Sequence, residues 1–257
     1  MNSCLKKNAK LEVSGLKKSY FLNGALIQVL DDINIYACGE EFVSIVGPSG
    51  CGKSTLFNII CGLQEPDSGN IHLNGTEISG KTGMVGYMLQ KDLLLPWRKV
   101  IDNVMLGLEL SVNDRKKNLE KARELIPTFG LEGFENAHPT SLSGGMKQRA
   151  ALLRTYLLGR EVMLLDEPFG ALDAITRCEL QDWLLKVWDK FRKTILFITH
   201  DVGEAIYLSD RIYIMTNRPG GIKDEVTVNL ARPRNRDITE TAEFKILTKN
   251  ILKLLEY

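Results

Sequence analysis

The chain has 257 residues, 44% of them hydrophobic, and a formal net charge of +1. That length supports one large domain or two small lobes around a substantial core, and the near-neutral balance gives no global reason to expect nucleic acid or an anionic bilayer as partner. Five cysteines, Cys4, Cys38, Cys51, Cys61 and Cys178, show no paired C-x-x-C spacing, which points away from a zinc site or disulfide framework and toward a reducing compartment. The start, Met1-Asn2-Ser3-Cys4-Leu5-Lys6-Lys7, is charged, but no apolar stretch of a secretory signal follows it, which argues against export and against lipidation of Cys4. Nowhere do 18 consecutive apolar residues occur, so the sequence predicts a chain that reaches a membrane only through a partner.

In chain order, Leu11-Glu12-Val13-Ser14 alternates apolar and polar residues, residues 29–36 do so loosely, and Gly24 marks a turn between them, the pattern of antiparallel edge strands. Tyr20, with Phe21 beside it, reads on its own as an edge-strand or core aromatic; ahead of a phosphate loop it can stack on adenine. Such a loop follows. Val43-Ser44-Ile45-Val46 feeds Gly47-Pro48-Ser49-Gly50-Cys51-Gly52-Lys53-Ser54-Thr55, in which Gly47, Gly52, Lys53 and Ser54 satisfy G-x-x-x-x-G-K-[ST], a match expected by chance in roughly 1 chain in 100 of this size. The glycines let the backbone wrap a polyphosphate closely. Successive N–H groups then form a nest at a helix N-terminus, where the macrodipole favours negative charge. Lys53 reaches the β- and γ-phosphates as a point charge, and the Ser54 hydroxyl suits Mg²⁺. The alternative is a Gly/Ser loop that merely caps a helix; the strand before it and the helix after it favour triphosphate binding.

Leu56, Ile59, Ile60 and Leu63 keep helical spacing until Pro66-Asp67-Ser68-Gly69 breaks it. Ile71-His72-Leu73-Asn74-Gly75 reads as a strand and turn with His72 toward solvent, and Met84-Val85-Gly86-Tyr87-Met88-Leu89 as a further strand that stops at Gln90. A glutamine closing a buried strand can orient a water or ligate Mg²⁺, or it is simply a polar strand end. Residues 91–140 change texture to amphipathic helices rich in Lys, Arg and Glu, with Leu119, Ala122 and Ile126 on one face, and so predict an inserted helical lobe. Its entrance, Leu93-Leu94-Leu95-Pro96-Trp97-Arg98, is unusually apolar for a loop. It either packs under the lobe or lines a groove that receives another protein.

Ser141-Leu142-Ser143-Gly144-Gly145-Met146-Lys147-Gln148-Arg149 is a second loop-to-helix junction, whose helix places Met146, Ala150, Leu153 and Leu157 on one face and meets Gly159 at its end. Ser143 is placed as an N-cap, while Ser143, Gly144 and Gly145 together offer a hydroxyl and unobstructed N–H groups to an anion. Val162-Met163-Leu164-Leu165-Asp166-Glu167 reads as a central parallel strand whose C-terminal end opens at a ligand crevice. Adjacent strand residues face opposite sides, so Asp166 would hold Mg²⁺ through water and Glu167 would act as general base on the attacking water; the plain alternative is an acidic turn before Pro168. Thr194-Ile195-Leu196-Phe197-Ile198-Thr199-His200 is another central strand. His72 and His138 lack a carboxylate or cysteine cluster, whereas His200 at a strand end can donate to a γ-phosphate or hold the attacking water. Ile212-Tyr213-Ile214-Met215 is a last strand, Arg218-Pro219-Gly220-Gly221 a turn, and beyond Arg232-Pro233-Arg234 an apolar stripe of Phe244, Leu247, Ile251 and Leu254 predicts a final helix that packs on the domain, the alternative being a regulatory or dimerising role.

Taken in this order and spacing, Tyr20, Gly47 to Thr55, Gln90, Leu142 to Gln148, Val162 to Glu167, Ala171-Leu172-Asp173 and His200 resemble the ATP-binding cassette family of ATPases across about the first 220 residues. Tyr20 matches its adenine-stacking aromatic, Gly47 to Ser54 its Walker A loop, Gln90 its Q-loop, and Leu142 to Gln148 its signature. Val162 to Asp166 matches Walker B, Glu167 the catalytic glutamate, Asp173 the D-loop and His200 the switch histidine. The resemblance implies an α/β fold, with a P-loop NTPase core built on a mostly parallel sheet, an antiparallel β edge subdomain and an inserted α-helical subdomain. The ATPase domain would cover 1–220, with the helical lobe at about 91–158, and 221–257 would be an extension packing on it. ATP and Mg²⁺ are the implied cofactors. Two copies would sandwich two nucleotides, each between one subunit's Walker A loop and the other's signature, because Ser143 and its glycines offer anion donors that a subunit's own loop already supplies.

With one cassette and no membrane span, the chain best resembles the separate ATPase subunit of a bacterial importer, working at the cytoplasmic face of the cell membrane on permease subunits and, indirectly, a substrate-binding protein. Leu94-Leu95-Pro96-Trp97-Arg98, Ile101-Asp102-Asn103-Val104 and Phe169-Gly170-Ala171-Leu172-Asp173 resemble the nitrate, sulfonate and taurine importer group. The alternative is a soluble ATP-dependent switch that regulates a cytosolic complex.

Overall fold

A computed structural model describes residues 9–109 and 114–255 of the chain. The N-terminal stretch read above, Met1 to Lys7 with Cys4, lies outside the described residues. The elements are β1 (Ala9–Leu22), β2 (Ala25–Cys38), β3 (Phe42–Val46), α1 (Lys53–Ile60), β4 (Ser68–Leu73), β5 (Thr76–Glu77), β6 (Gly86–Met88), α2 (Val100–Val104), α3 (Leu106–Glu109), α4 (Arg115–Leu125), a 3-10 turn (Pro139–Ser141), α5 (Gly144–Leu157), β7 (Val162–Asp166), α6 (Ala174–Phe191), β8 (Thr194–Thr199), α7 (Val202–Leu208), β9 (Arg211–Met215), β10 (Ile222–Thr227), a second 3-10 turn (Arg236–Glu240) and α8 (Ala242–Leu255). The fold is α/β and divides into two compact units, Met1–Val85 with Arg192–Tyr257, and Gly86–Phe191.

In the first unit, β1 and β2 pair antiparallel through Asn23-Gly24, whose positive φ values of 50° and 80° supply the turn twist that a two-residue hairpin needs. β4 pairs with β1, and β5 with β4, which completes an antiparallel sheet in the order β2-β1-β4-β5. A second set of strands runs β10-β9-β3-β8, with β9, β3 and β8 parallel and β10 antiparallel at its edge. Every residue of β3, β8 and β9 is buried, which is why these segments are written as continuous runs rather than alternating ones. Helix α1 buries Leu56, Phe57, Ile59 and Ile60. It stops there, short of the predicted stripe: Gly62 turns the chain at φ 79°, where a Cβ would collide with the Lys81 carbonyl, and Leu63 is left 61% exposed.

In the second unit, β6 and β7 pair parallel from Gly86 opposite Met163 to Met88 opposite Leu165. β6 is shorter than the predicted strand over 84–89. Among the described residues of 91–140, the helices α2, α3 and α4 run for only five, four and eleven residues, shorter than the composition predicts. The face they present is the expected one, with Ala122 and Ile126 buried and Leu119 half-buried. Asn103 explains how the apolar entrance loop is held. Fully buried, it accepts from Leu95 N–H at 2.7 Å and donates through Nδ2 to the carbonyls of Leu95, Arg98 and Lys99, each at 3.1 Å. The loop divides its side chains: Leu94 is tucked in at 8% exposure, while Leu93 at 52% and Trp97 at 72% stand out. Phe129, Tyr156, Trp183 and Phe191 form an aromatic cluster, locked by Trp183 Nε1 donating to Thr128 O at 3.1 Å and capped by the Arg149 guanidinium over the Trp183 ring.

The C-terminal segment is fastened to the first unit by charge as well as by its apolar stripe. Phe244 and Ile251 of α8 are buried. Ahead of them, Arg232 donates to Asp210 Oδ1 at 2.8 Å and to Leu208 O at 2.6 Å. Arg234, whose side chain is enclosed, shares Nη1 among the carbonyls of Ile206, Tyr207 and Ser209 at 3.0, 3.0 and 2.8 Å, and gives Nη2 to Leu230 O at 3.1 Å. These are the orphan carbonyls at the end of α7, the place where a cation also meets the negative end of the helix dipole. Burial pulls the Arg234 guanidinium down to about 10. Replacing Arg234 by Met keeps much of the volume but leaves those carbonyls dry and unpaired. We expect it to lower the unfolding free energy by about 2–4 kcal/mol, read as a fall in urea midpoint; an unchanged midpoint would remove the clasp from the stability account.

Candidate functional site

Each unit carries part of the motif set, and Gly47, Asp166 and His200 each sit at the C-terminal end of a buried parallel strand. In the first unit β3 ends at Val46 and the Gly47 to Gly52 loop delivers the chain into α1. The loop has no space for side chains where it matters. A Cβ at Gly47 would lie 2.9 Å from Met215 Cβ at the end of β9, and one at Gly52, which sits at φ 109°, would lie 2.7 Å from Leu30 Cδ2 on β2. Gly50 also holds positive φ, at 76°. Pro48 is half-buried, Ser49 and Ser54 are exposed, and Thr55 is half-buried at the head of α1. Cys51 is buried, and burial pushes its thiol up, so it serves the loop as a packing residue.

Lys53 is only 6% exposed, and its ammonium folds back over the loop, donating to Gly47 O at 2.8 Å and Pro48 O at 2.9 Å. Cys51 N–H rests against the same Pro48 O at 3.4 Å. Two donors at this loop, the Lys53 ammonium and the Cys51 N–H, thus rest on the loop's own carbonyls. The α1 first turn carries no acidic residue to compete for them.

Two further predicted residues belong to this unit. Tyr20 pairs with Ile27 across the hairpin and is half-buried; its hydroxyl donates to Gln64 Oε1 at 2.6 Å, which fixes the plane of its ring. Phe21 beside it is 76% exposed. His200 is exposed immediately after β8, and the register of Val46 opposite Thr199 places positions 47 and 200 at the same sheet edge. The backbone there is held by Asp201, whose N–H donates to Thr199 Oγ1 at 3.0 Å and whose side chain caps α7 by accepting from Glu204 N–H at 2.9 Å.

In the second unit β7 brings Asp166 and Glu167 to its end. Asp166 is 5% exposed, with the Tyr87 hydroxyl 3.3 Å from Oδ2. Glu167 leaves the strand with φ 43°, a left-handed turn uncommon for a non-glycine residue, and Gln90 Nε2 donates to its Oε2 at 3.2 Å. Gln90, Asp166 and Glu167, far apart in sequence, are therefore neighbours. Ser143 caps α5, accepting from Met146 N–H at 3.2 Å, while Gly144 is exposed and Gly145 is pressed against Thr176 on α6. Asp173 accepts from Thr176 N–H at 3.0 Å, and that bond holds its carboxyl below the usual range. Sequence reasoning missed Gln64 and Tyr87, whose hydrogen bonds orient Tyr20 and Asp166; neither carries a pattern that marks it. Among the described residues no group of three or more His, Cys, Asp or Glu gathers as a closed metal site.

The family model for ABC transporters matches residues 30–170. An ABC transporter ATP-binding protein of Methanocaldococcus jannaschii is 48% identical over 244 residues, 95% of this chain and 91% of that protein. The chain belongs to the ABC transporter family. It is an ATP-binding ATPase subunit of that family, and its resemblance to ABC cassettes extends to the fold. The aliphatic sulfonates import ATP-binding protein of Bacillus anthracis is 39% identical over 247 residues, 96% of each chain. A bacterial ABC transporter cassette solved as a dimer superposes with a TM-score of 0.74 at 28% identity, covering 86% of this chain and all of that one. The same cassette has also been solved as a post-hydrolysis dimer bound to ADP and Pi.

Because Gly52 combines a left-handed backbone with contact against Leu30, Gly52→Ala is expected to weaken ATP binding about tenfold or more, measured by calorimetry. Circular dichroism should stay native. Undiminished affinity would show that the loop tolerates a Cβ there.

Proposed function

We propose that this chain is the ATP-hydrolysing nucleotide-binding subunit of a bacterial ABC importer, energising uptake of a small solute of the nitrate, sulfonate or taurine type through a separate permease. The reading rests above all on the likeness to a sulfonate import ATP-binding protein along 96% of both chains.

In this reading Tyr20 stacks on adenine, and the backbone N–H groups between Gly47 and Thr55 receive the phosphates, Cys51 N–H leaving Pro48 O to do so. Lys53 leaves Gly47 O and Pro48 O for the β- and γ-phosphates. Ser54, Gln90 and Asp166 would each offer an oxygen to Mg²⁺, which would supply charge neutralisation at the phosphates. Glu167 takes the proton of the attacking water, with Gln90 fixing its carboxylate, and His200 donates toward the γ-phosphate. Ser143, Gly144, Gly145 and Asp173 act on the nucleotide of a second copy, so that the γ-phosphate joins two protomers and its loss releases them. A dimeric relative supports that arrangement.

The permease would be received beside Trp97, on a groove of about 630 Å³ in the second unit whose walls include Arg98, Asp102, Met105, Glu109 and His138. The likeness to an import ATP-binding protein supports a place on the cytoplasmic face of the cell membrane, held there by the permease; no described helix is long and apolar enough to cross a membrane.

Glu167→Gln should still bind ATP and form a stable dimer by light scattering, with turnover down about 10²–10³-fold; unchanged turnover would exclude Glu167 as the base. Charge substitution at the groove, Trp97→Glu, is expected to abolish uptake in vesicles reconstituted with the permease that co-purifies with the wild-type chain, while ATP binding persists. Normal uptake by that variant would rule out the groove as the docking site.

A further inference from the structure

The turn after β9 is seated on the phosphate loop. Gly220 N–H donates to Val29 O at 2.8 Å and its carbonyl accepts from Asp31 N–H at 2.9 Å, which ties the turn to β2. Thr216 closes it from inside, its hydroxyl donating to Pro219 O at 3.1 Å and accepting from Gly221 N–H at 2.8 Å. A Cβ at Gly220 would overlap the Cys51 carbonyl, so the turn and the loop touch backbone to backbone. From this rigid support Arg218 extends an exposed guanidinium whose Nη2 donates to Gly50 O at 3.1 Å. Among the described residues no carboxylate pairs with it, unlike Arg98, Arg211 and Arg232.

A trans peptide is planar, and its C=O and N–H point opposite ways. Holding Gly50 O outward therefore aims the N–H of Cys51, the other end of the same peptide, toward the loop interior. That N–H now makes only the long 3.4 Å contact to Pro48 O, the carbonyl on which Lys53 also rests. A cation on the carbonyl also polarises the peptide and strengthens the N–H as a donor.

We propose that Arg218 is a positioning residue for phosphate binding, acting through the Gly50–Cys51 peptide. This rests on the reading of Gly47 to Thr55 as the nucleotide site. The role demands a cation that donates, at a fixed reach, to one carbonyl. It is therefore specific to ligands with phosphates and indifferent to the base.

The test compares the full-length wild type with Arg218→Ala, Arg218→Gln and Arg218→Lys. Arg218 is exposed, so all three should fold with melting temperatures near that of the wild type. We expect Arg218→Ala to raise KM for MgATP and Kd for ADP about 5- to 20-fold, with kcat within about twofold. Arg218→Lys should recover part of the affinity and Arg218→Gln less, and adenosine affinity should be the same in all four proteins. In ¹⁵N-labelled protein, the Cys51 amide shift on ADP titration should shrink in Arg218→Ala. Unchanged KM and Kd in Arg218→Ala, with normal wild-type binding, would overturn this inference alone. Equal losses for ADP and adenosine, or a fall in kcat without a change in KM, would also overturn it. Failure of the wild type to bind ADP would overturn the reading of the loop, and this inference with it.

Discussion

The absence of side-chain volume at Gly47 and Gly52 is the constraint on which the first unit depends. Those positions are pressed from two sides, by Met215 at the end of β9 and by Leu30 on β2. The loop between them is consequently narrow enough for Lys53 to fold over it and reach two carbonyls at once. The cost is an almost fully buried ammonium, tolerated because it is hydrogen-bonded where it lies. In the proposed role, Lys53 would exchange its own backbone acceptors for phosphate oxygens, which carry more charge.

The same economy appears at the ends of β7 and β8. Parallel strands buried on both faces must release the chain at one edge, so chemistry-bearing residues gather there without any need for a dedicated loop. Asp166 stays in the strand geometry and is buried, while Glu167 is turned out of it by its left-handed backbone and meets Gln90. Strained φ values of this kind persist only where the surroundings over-determine them. His200 leaves β8 by a different device, a helix capped by the very next residue, so its backbone is fixed while its ring stays exposed.

Helix α7 links that junction to the C-terminal segment. Asp201 satisfies its first turn and Arg232 with Arg234 satisfies its last, so a helix of only seven residues, too short to persist alone, is held at both ends. The extension is thus more than a packed appendage: its arginines finish the hydrogen bonding of an element that begins one residue after Asp201. Trp97 and the entrance loop show the complementary case, in which Asn103 satisfies the backbone so fully that apolar side chains can be left outside.

The sequence by itself determined the glycine loop, the carboxylate-ended strand and the cap at Ser143. Gly47 to Thr55, Ser143 and the Val162 to Glu167 run are local patterns in which spacing, backbone freedom and polarity are all written in adjacent residues. It also carried the alternation of β1 and the continuous runs of β3, β7 and β8, because burial on one face or two leaves a distinct periodicity. The end of α1 is local as well, a left-handed Gly62 whose N–H donates to Ile59 O while Leu63 N–H donates to Asn58 O; tertiary structure decided the rest. It alone decided the short helices between 91 and 140, the split of the entrance loop into buried Leu94 and exposed Trp97, and the partners Gln64 for Tyr20, Gln90 for Glu167 and Arg218 for Gly50. Each of these joins residues distant in sequence, and a hydrogen bond across such a distance leaves no periodic trace in the chain that makes it.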